Sequence, residues 1–410
     1  MAGHEGTEGD AEVKSEIRMT NGEWPKVALG ELMPGRGESV DPANHPSETF
    51  DLYSIPAFDS RQPEVLEGAQ IGSTKQVVAP DDVLLSKIVP HIRRAWVVGK
   101  NRGRRMIGSS EWIVFRNARM FPGFMRHLLV EDRFHAKFMS TVSGVGGSLL
   151  RARPAHVAKI VIPLPPLAEQ RRIAGVLDRA EALRAKRRAA LAQLDSLTQS
   201  LFLDLFGDPP TNPKGWPKVE LGEVVKLVGG YAFKSEEFAA EGNAVVRISN
   251  LTGDGIDLDG IARIPNAKLG KGVGYKIQPG DILIAMSGAT TGKLGVVPLE
   301  LSEDLYLNQR VGNYRIRDAA RIQREFLLGL LCSPFYQRFL WQLAAGVAQP
   351  NVSGWQLESA VVPLPPISLQ REFARRVTAV EALKTTQRAS LAELDALFAT
   401  LQHRAFRGEL

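Results

Sequence analysis

Residues 162–167 read Ile-Pro-Leu-Pro-Pro-Leu, and residues 362–367 read Val-Pro-Leu-Pro-Pro-Ile. The match continues without a gap, and 20 of the 46 aligned positions are identical between 161–206 and 361–406. An internal repeat of this length indicates a duplicated structural unit. The sequence therefore predicts two copies of one element, each approached through a stiff proline-rich step.

The segments that follow the two proline-rich steps have the composition of long helices. Gly175 is the only Gly or Pro in 167–206, 367–407 contains neither, and good helix formers dominate both segments. Apolar residues recur every three or four positions, as they do on a helix with one apolar stripe. The predicted helix-pairing stripe comprises Ile173, Leu177, Leu183, Leu194, Leu197 and Leu201 in the first copy and Phe373, Val377, Leu383, Leu394, Leu397 and Leu401 in the second.

A helix of about 40 residues is a rod of roughly 60 Å. One amphipathic rod alone is unstable in water, whereas two rods with matching stripes bury each other. We therefore expect the two repeated helices to pair as an antiparallel coiled coil with pseudo-two-fold symmetry. The alternative is that each helix packs only on the domain that precedes it.

A second repeat precedes the first. Residues 24–31 read Trp-Pro-Lys-Val-Ala-Leu-Gly-Glu, and 216–223 read Trp-Pro-Lys-Val-Glu-Leu-Gly-Glu. Between these openings and the proline-rich steps lie short β-rich runs broken by Gly, Pro, Asn and Asp, with helical stretches after them. The fold class predicted is α+β, with two mixed α/β heads separated by two long helices. The predicted boundaries are a flexible tail at 1–21, heads at 22–162 and 211–362, and repeated helices at 163–210 and 363–410.

The composition limits the classes of function. The chain has 410 residues and a net charge of +6, an excess that permits nucleic-acid binding without requiring it. A single cysteine allows no disulfide within the chain, which is typical of a reducing compartment. No stretch approaches about 18 consecutive apolar residues. We therefore expect a soluble, cytoplasmic protein.

Two stretches resemble catalytic motifs and lack their chemistry. Gly288-Ala289-Thr290-Thr291-Gly292-Lys293-Leu294 is one residue short of a phosphate-binding loop and has Leu where Ser or Thr binds Mg²⁺. Residues 208–211, Asp-Pro-Pro-Thr, lack the aromatic residue of the amino-methyltransferase motif, and no Gly-rich strand–turn–helix accompanies them. The histidines are scattered and predict no metal cluster. The sequence therefore predicts a chain with no catalytic, cofactor-binding or metal-binding residues of its own.

The binding chemistry of the first head lies between Asp82 and Glu111, an interval without any acidic residue. Basic residues beside an aromatic residue and several glycines are typical of a surface that contacts phosphates and base edges, although a solvated loop has the same composition. The candidate DNA-binding residues in this interval are Lys87, Arg93, Arg94, Lys100, Arg102, Arg104 and Arg105.

The second head offers a looser set. Asn, Gln and Arg can make bidentate contacts with adenine and guanine edges, but such residues are also common in ordinary loops. The candidates are Tyr231, Phe233, Lys234, Arg247, Asn250, Lys293, Asn308, Arg310, Gln349 and Asn351. The first helix is also rich in arginine, which indicates either a solvated face or a surface that contacts DNA or an acidic partner.

The arrangement resembles the specificity subunits of type I restriction–modification systems. The likeness rests on the two Trp-Pro-Lys-Val-x-Leu-Gly-Glu openings, the two Pro-Leu-Pro-Pro steps followed by Gln-Arg, and the ends of the helices, Leu-Phe-Gly-Asp-Pro at 205–209 and Phe-Arg-Gly-Glu-Leu at 406–410. The second copy departs from the pattern with Leu369 where the first has Glu169.

The resemblance implies that each head is a target recognition domain for one half of a split, asymmetric DNA site, and that the helices set the unread gap. It also implies partners: double-stranded DNA, two methyltransferase subunits that use S-adenosylmethionine, and restriction subunits that use ATP and Mg²⁺. Two hypotheses of other classes stay open from the residues alone. One is a self-sufficient methyltransferase or nuclease, and the other is a coiled-coil adaptor without a nucleic-acid role.

Overall fold

The computed structural model of the chain describes residues 24–35, 37–143, 150–344 and 350–410, so the predicted tail at 1–21 lies outside the described residues. The chain divides into two compact units. The first unit comprises Met1–Arg188 with Ser390–Leu410, and the second comprises Ala189–Ala389. Each unit therefore contains one head and a segment of each long helix.

The elements of the first head alternate short strands with short helices. Its strands are β1 (Lys26–Ala28), β2 (Ser39–Val40), β3 (Thr49–Tyr53), β4 (Glu64–Glu67), β5 (Lys75–Val77), β6 (Val83–Ser86), β7 (Ala95–Val97), β8 (Arg105–Gly108), β9 (Trp112–Phe115), β10 (Val142–Ser143), β11 (Arg151–Ala152) and β12 (Val161–Pro163). Its helices are α1 (Ala57–Ser60), α2 (Pro122–Leu128), α3 (Asp132–Met139) and α4 (Pro154–Val157), and the first long helix, α5 (Leu167–Phe206), follows.

The second head has the same kind of composition. Its strands are β13 (Lys218–Glu220), β14 (Val225–Gly229), β15 (Asn243–Val246), β16 (Ala262–Ile264), β17 (Ile282–Ala285), β18 (Leu294–Val296), β19 (Leu305–Leu307), β20 (Val311–Ile316) and β21 (Val361–Pro363). Its helices are α6 (Leu221–Val224), α7 (Asn266–Leu269), α8 (Arg324–Cys332), α9 (Pro334–Ala344) and α10 (Gly354–Glu358), and the second long helix is α11 (Ile367–Ala405).

Both heads contain the same two kinds of sheet. In the first head, β6 pairs antiparallel with β7 and β9, and a five-stranded sheet has the order β2-β5-β8-β3-β4. In the second head, β17 pairs antiparallel with β18 and β20, and a three-stranded sheet has the order β16-β15-β19. The second kind of sheet contains one parallel pair in each head, β3 with β8 and β15 with β19. The mixed α/β heads expected from the sequence are confirmed.

The two sequence repeats meet in space at the root of each head. The Trp-Pro-Lys-Val opening forms β1 and β13, and the proline-rich step begins in β12 and β21. These strands pair antiparallel, with Val27 opposite Ile162 and Val219 opposite Val362. Each head therefore begins and ends on one two-stranded ladder, from which the chain passes into the long helix.

The long helices have 40 residues in α5 and 39 in α11. Helix α5 ends at Gly207, which has φ 81° and donates its N–H to the carbonyl of Leu203 at 2.8 Å. A glycine in the left-handed conformation is the common terminator of a helix, because it carries no Cβ to clash. The two predicted long helices are confirmed.

The two long helices run antiparallel in each unit. In the first unit, Arg184 of α5 bonds Asp395 of α11, while Arg172 donates to the carbonyl of Leu410 at 3.0 Å. Residue numbers along α11 and the segment after it therefore rise as those along α5 fall. The second unit repeats this order, as the next contacts show.

In the second unit, Lys384 Nζ lies 2.8 Å from Asp195 Oδ1, and the rings of Phe206 and Phe373 have centroids 5.2 Å apart. Lys384 and Asp195 occupy the repeat positions of Arg184 and Asp395. One cross-helix ion pair is thus present once in each unit. The antiparallel pairing of the helices is confirmed.

The helices also pack on the heads, so the alternative raised from the sequence describes part of the fold. Ile173 and Leu177 lie in one core with Phe124 of α2, and this core also includes Phe406, beyond the end of α11. In the second unit, Phe373 lies in one core with Phe326 of α8. Helix–helix and helix–head packing thus share the same buried clusters.

The structure places the twelve predicted stripe residues in three environments. Ile173, Leu177 and Phe373 are buried, and Leu194, Leu201, Val377, Leu394 and Leu401 are half-buried. The other four are 43–53% exposed, and they are Leu183, Leu197, Leu383 and Leu397. Two of these exposed leucines directly precede Arg184 and Lys384, which point to the opposite helix instead. The apolar stripe is therefore narrower than the sequence pattern predicts.

Candidate nucleic-acid interface

One hairpin loop occupies the same place in both heads. In the first head it comprises 87–94 and joins β6 to β7, and in the second it comprises 286–293 and joins β17 to β18. Ser86 N–H donates to the carbonyl of Arg94 at 3.0 Å, and Ala285 N–H donates to the carbonyl of Lys293 at 2.9 Å. We call these two segments the hairpin loops.

A later segment of each head pairs with the base of its hairpin loop. Ala152 N–H donates to the carbonyl of Lys87, and Val352 N–H donates to the carbonyl of Met286, both at 2.8 Å. The backbone frame is therefore the same in both heads, although the loop sequences differ: Lys-Ile-Val-Pro-His-Ile-Arg-Arg in the first and Met-Ser-Gly-Ala-Thr-Thr-Gly-Lys in the second. A shared frame with different side chains is typical of a variable recognition surface.

Some basic residues of the first hairpin loop form ion pairs with acidic residues outside the loop. Arg93 Nη1 donates to Asp132 Oδ1 at 2.6 Å and to the carbonyl of Val130 at 3.1 Å. Lys87 Nζ lies 3.9 Å from Glu111 Oε2. Arg94 differs, because its Nε is buried without a hydrogen-bond partner.

The neighbouring segment 99–105 shows the same division. Arg104 Nε donates to Asp51 Oδ1 at 2.6 Å, and this carboxylate is almost completely buried. Arg105 pairs with Glu48 at 3.1 Å. Lys100 and Arg102 are exposed and make no ion pair with the residues that the structure describes. Acidic residues in β3 and directly before it thus neutralise some of the basic residues in the interval that contains no acid. These acids lie about fifty residues earlier in the chain, so the local sequence does not reveal the pairing.

In the second head, a polar group gathers beside the hairpin loop. Arg310 Nη1 donates to Asn351 Oδ1 at 3.2 Å, and Asn351 forms a β-bridge with Ser287 of the loop. Lys293 is exposed at the end of the loop. The segment leads into strand β18 and not into a helix, so it has no helix N-terminus at which to hold a phosphate. The structure thus brings Arg310 and Asn351 together and places Lys293 at the end of the same loop.

Two other candidates of the second head have buried side chains. Phe233 and Asn250 are each 6% exposed. Asn250 accepts from the N–H of Arg247 at 2.9 Å and donates to the carbonyl of Asp257 at 2.9 Å, so this amide stabilises a turn. Phe233 packs against Tyr231. We therefore correct the prediction for Phe233 and Asn250, whose buried side chains are not accessible to DNA.

The remaining candidates have mixed surroundings. Lys234 and Arg247 are exposed, and the Arg247 guanidinium lies 5.7 Å from the ring centroid of Phe238. Asn308 is half-buried, and its backbone joins Tyr231 in a β-bridge. Gln349 lies outside the described residues.

A polar cluster forms around a buried histidine in the first unit. His127 of α2 is 1% exposed, and its Nε2 lies 2.8 Å from Asp178 Oδ1 of α5. Arg126 pairs with the same Asp178 at 2.8 Å and with Glu181 at 2.7 Å. The sequence separation of about fifty residues gave no signal for this contact.

The electrostatics of the cluster follow from burial and from its charges. Burial, aided by the Arg126 charge, lowers the pKa of His127 below its ordinary value. Burial is the largest single effect on Glu181 and would raise its pKa, but the hydrogen bond to Arg126 and the positive charges around the carboxylate together outweigh burial and lower the pKa. The ligand atoms of His127, Asp178 and Glu181 lie within 4.8 Å of one another, as in a metal site. The Arg126 guanidinium already supplies the cation between the two carboxylates, so the cluster is a structural ion-pair network.

No helix among the residues that the structure describes is long and apolar enough to span a membrane.

The comparisons with known proteins concern the same duplicated plan. Residues 213–396 match the family model of the type I restriction modification DNA specificity domain. This segment includes the second head and most of the second long helix.

Several known proteins are similar over larger parts of the chain. The MjaVIII specificity subunit of Methanocaldococcus jannaschii is 28% identical over 251 residues, which are 58% of this chain and 59% of that protein. The EcoKI specificity subunit of Escherichia coli K12 is 24% identical over 364 residues, which are 82% of this chain and 76% of that protein. The chain thus spans about three fifths of the length of the archaeal relative.

Solved structures agree in fold. A chain from a type I R-M system has 25% identity and a TM-score of 0.56, with 95% of this chain and 98% of that one covered. The S subunit from M. genitalium has 15% identity and a TM-score of 0.57, and shows the fold alone. With the family model and the curated relatives, these matches agree with the duplicated head-and-helix plan. The chain is therefore similar in sequence and in fold to the specificity subunits of type I restriction–modification systems.

Proposed function

We propose that this chain is the sequence-reading subunit of a type I restriction–modification complex. Each head reads one half of a bipartite, asymmetric DNA site, and the paired helices set the gap between the halves. The observation that carries the proposal is the pair of hairpin loops, because one backbone frame holds two unrelated sets of side chains. Identical frames with different side chains fit two half-sites of different sequence.

The proposed domains keep the sequence boundaries. Target recognition domains occupy 22–162 and 211–362, spacer helices occupy 163–210 and 363–410, and 1–21 is a tail. The hairpin loops are the proposed reading elements. Arg94, Lys100 and Arg102 are the proposed DNA-contacting residues of the first head, and Lys293, Arg310 and Asn351 are those of the second.

The chemistry belongs to partners in this proposal. Two methyltransferase subunits dock on the helices and methylate adenine with S-adenosylmethionine, and restriction subunits use ATP and Mg²⁺ to cleave unmethylated DNA. This chain contributes recognition and no catalytic group, and it works in the cytoplasm where the DNA is.

The direct test is to express the chain together with the methyltransferase subunit encoded beside it and to map methylated adenines in the host genome. We expect one two-part motif with a fixed gap and different halves. Methylation with a continuous motif, or with none, would contradict the proposal. Methyl transfer by the purified chain alone would instead indicate a self-sufficient enzyme, and failure to bind any DNA with partners present would indicate an adaptor.

The assignment of heads to half-sites is tested with a matched pair of substitutions in the hairpin loops. Arg94→Ala is expected to relax selectivity only in one half of the motif, and Lys293→Ala only in the other half. A lost bidentate base contact costs about 1–3 kcal/mol of discrimination, which is a factor of roughly 5 to 150. Equal relaxation of both halves by either variant would refute the assignment.

A further inference from the structure

A buried glutamine lies at the same place at the root of both long helices. Gln170 stands in the first turn of α5 and Gln370 in the first turn of α11, and both are 0% exposed. A fully buried primary amide is costly unless its donors and acceptor are bonded. The partners of these two amides therefore indicate what the residues hold together.

In the first unit, Gln170 bonds only backbone groups. Its Oε1 accepts from the N–H of Phe121 at 2.6 Å. Its Nε2 donates to the carbonyl of Arg119 at 2.8 Å and to that of Pro165 at 2.7 Å. Phe121 is the residue directly before α2, and Pro165 belongs to the proline-rich step. One side chain thus joins the head, the step and the long helix.

The second unit repeats all three bonds. Gln370 Oε1 accepts from the N–H of Gln323 at 2.9 Å, and its Nε2 donates to the carbonyls of Arg321 at 3.0 Å and Pro365 at 2.7 Å. Gln323 is the residue directly before α8. The segments held are Arg-Met-Phe at 119–121 and Arg-Ile-Gln at 321–323. Because the bonds are to backbone, the heads can differ in sequence and keep the same joint.

A second repeated pair holds the same segments. Arg119 Nη2 donates to Glu31 Oε2 at 3.1 Å, and Arg321 Nη2 donates to Glu223 Oε2 at 3.3 Å. Both glutamates belong to the Leu-Gly-Glu openings and follow the first strand of their head. The segment directly before α2 or α8 is therefore fixed both from the β-ladder and from the long helix.

We infer that Gln170 and Gln370 are positioning residues for DNA recognition: each fixes the direction in which its head is mounted on its own long helix, and thereby the gap length that the subunit accepts. This inference rests on the proposed function. The reading loops lie within the heads and not at the joint. Loss of the glutamine hydrogen bonds should therefore reduce selectivity for the gap length without changing which bases each half-site requires.

The test uses the complex with the methyltransferase subunit and DNA duplexes that carry the native gap or a gap one or two base pairs longer or shorter. We compare the methylation rate of the duplex with the native gap to that of a duplex whose gap is one base pair longer or shorter. Gln170→Ala is expected to lower this ratio by about tenfold, since misplacement by about an ångström can cost roughly a hundredfold in rate. Discrimination against single base changes in either half should stay within about twofold of the unsubstituted complex. Gln370→Ala is the matched variant of the other joint, with the same expected result.

A milder variant covers the case in which Gln170→Ala fails to fold. A Cβ at Gly123 of α2 would lie 3.0 Å from Phe121 Cε1 and 3.3 Å from Ala174 Cβ of α5, so Gly123→Ala should displace the Phe121 ring and push the two helices apart by a few tenths of an ångström. We expect a smaller loss of gap selectivity, about two- to threefold. Ile107→Val, in a separate core of the same head, is the control for stability alone and should leave gap selectivity unchanged.

The outcomes separate the two proposals. If the unsubstituted complex shows no two-part motif, the proposed function fails. If it does, and the joint variants lose thermal stability but keep the native gap preference, the positioning role is refuted. It is also refuted if base discrimination within a half-site falls as far as gap selectivity, because the glutamine would then maintain the head itself.

Discussion

The environment of two residues on α11 yields a sharp prediction about what holds the second unit together. Phe373 and Leu383 both belong to the predicted stripe, but Phe373 is 1% exposed and Leu383 is 53% exposed. Phe373 packs edge-on against Phe202, with ring centroids 5.7 Å apart, and shares a core with Phe326. Phe373→Ala should therefore remove a side chain that joins both long helices to the head.

The magnitude follows from burial. Truncating a fully buried Phe to Ala costs about 3–5 kcal/mol of unfolding free energy through lost transfer energy and the remaining cavity. Complete burial of a Leu is worth about 1.5–3 kcal/mol, so Leu383→Ala at half exposure should cost roughly 1 kcal/mol or less. Both variants truncate a side chain of the predicted stripe, but the structure buries only Phe373.

The assay is urea unfolding of the full chain, with hydrogen exchange followed by mass spectrometry. A chain of two units need not unfold in one step, so exchange locates the unit that a variant weakens. Phe373→Ala should speed exchange in α8 and in the first half of α11, and Leu383→Ala should leave both near the unsubstituted rates. An equal loss of stability in both variants would refute the assignment of the buried face.

Three further predictions concern charged groups. Lys384→Met should lower the unfolding free energy by about 1–2 kcal/mol, which is less than the loss for a fully buried ion pair because Asp195 is 65% exposed. A double-mutant cycle with Asp195→Asn should show the coupling energy between the two side chains. A coupling energy below about 0.2 kcal/mol would contradict the ion pair. His127 has a pKa below that of the unfolded chain, so its contribution is present above about pH 6.5 and is lost as the pH falls below that value. Thermal unfolding between pH 7.5 and 5.5 should therefore be less pH-dependent in His127→Gln, and equal slopes would argue against burial of a neutral imidazole. Arg102→Ala should reduce the slope of the logarithm of the DNA-binding constant against the logarithm of the salt concentration by about 0.9. The control Lys159→Ala, at an exposed position between α4 and β12, should leave this slope unchanged. Equal slopes for Arg102→Ala and the unsubstituted protein would show that Arg102 does not contact DNA.

The candidate site was less predictable than the fold. The acid-free interval led to Lys100 and Arg102, which are exposed, and also to Arg104, which pairs with a buried aspartate. Sequence composition reports neighbours along the chain, whereas neutralisation depends on neighbours in space. The residues of the two hairpin loops themselves are unrelated, and what the loops share is the antiparallel pairing of the strands at their bases.

The sequence by itself determined the duplication, the two long helices and the repeated segments that open and close each head. These features depend on local propensity and on periodicity, which act between residues close along the chain. Only the tertiary structure decided which face of each helix is buried, how Gln170 and Gln370 join head to helix, and which arginines are free. Such contacts link residues about fifty to two hundred positions apart. Their partners are fixed by packing of the whole unit, and no pattern within one segment contains that information.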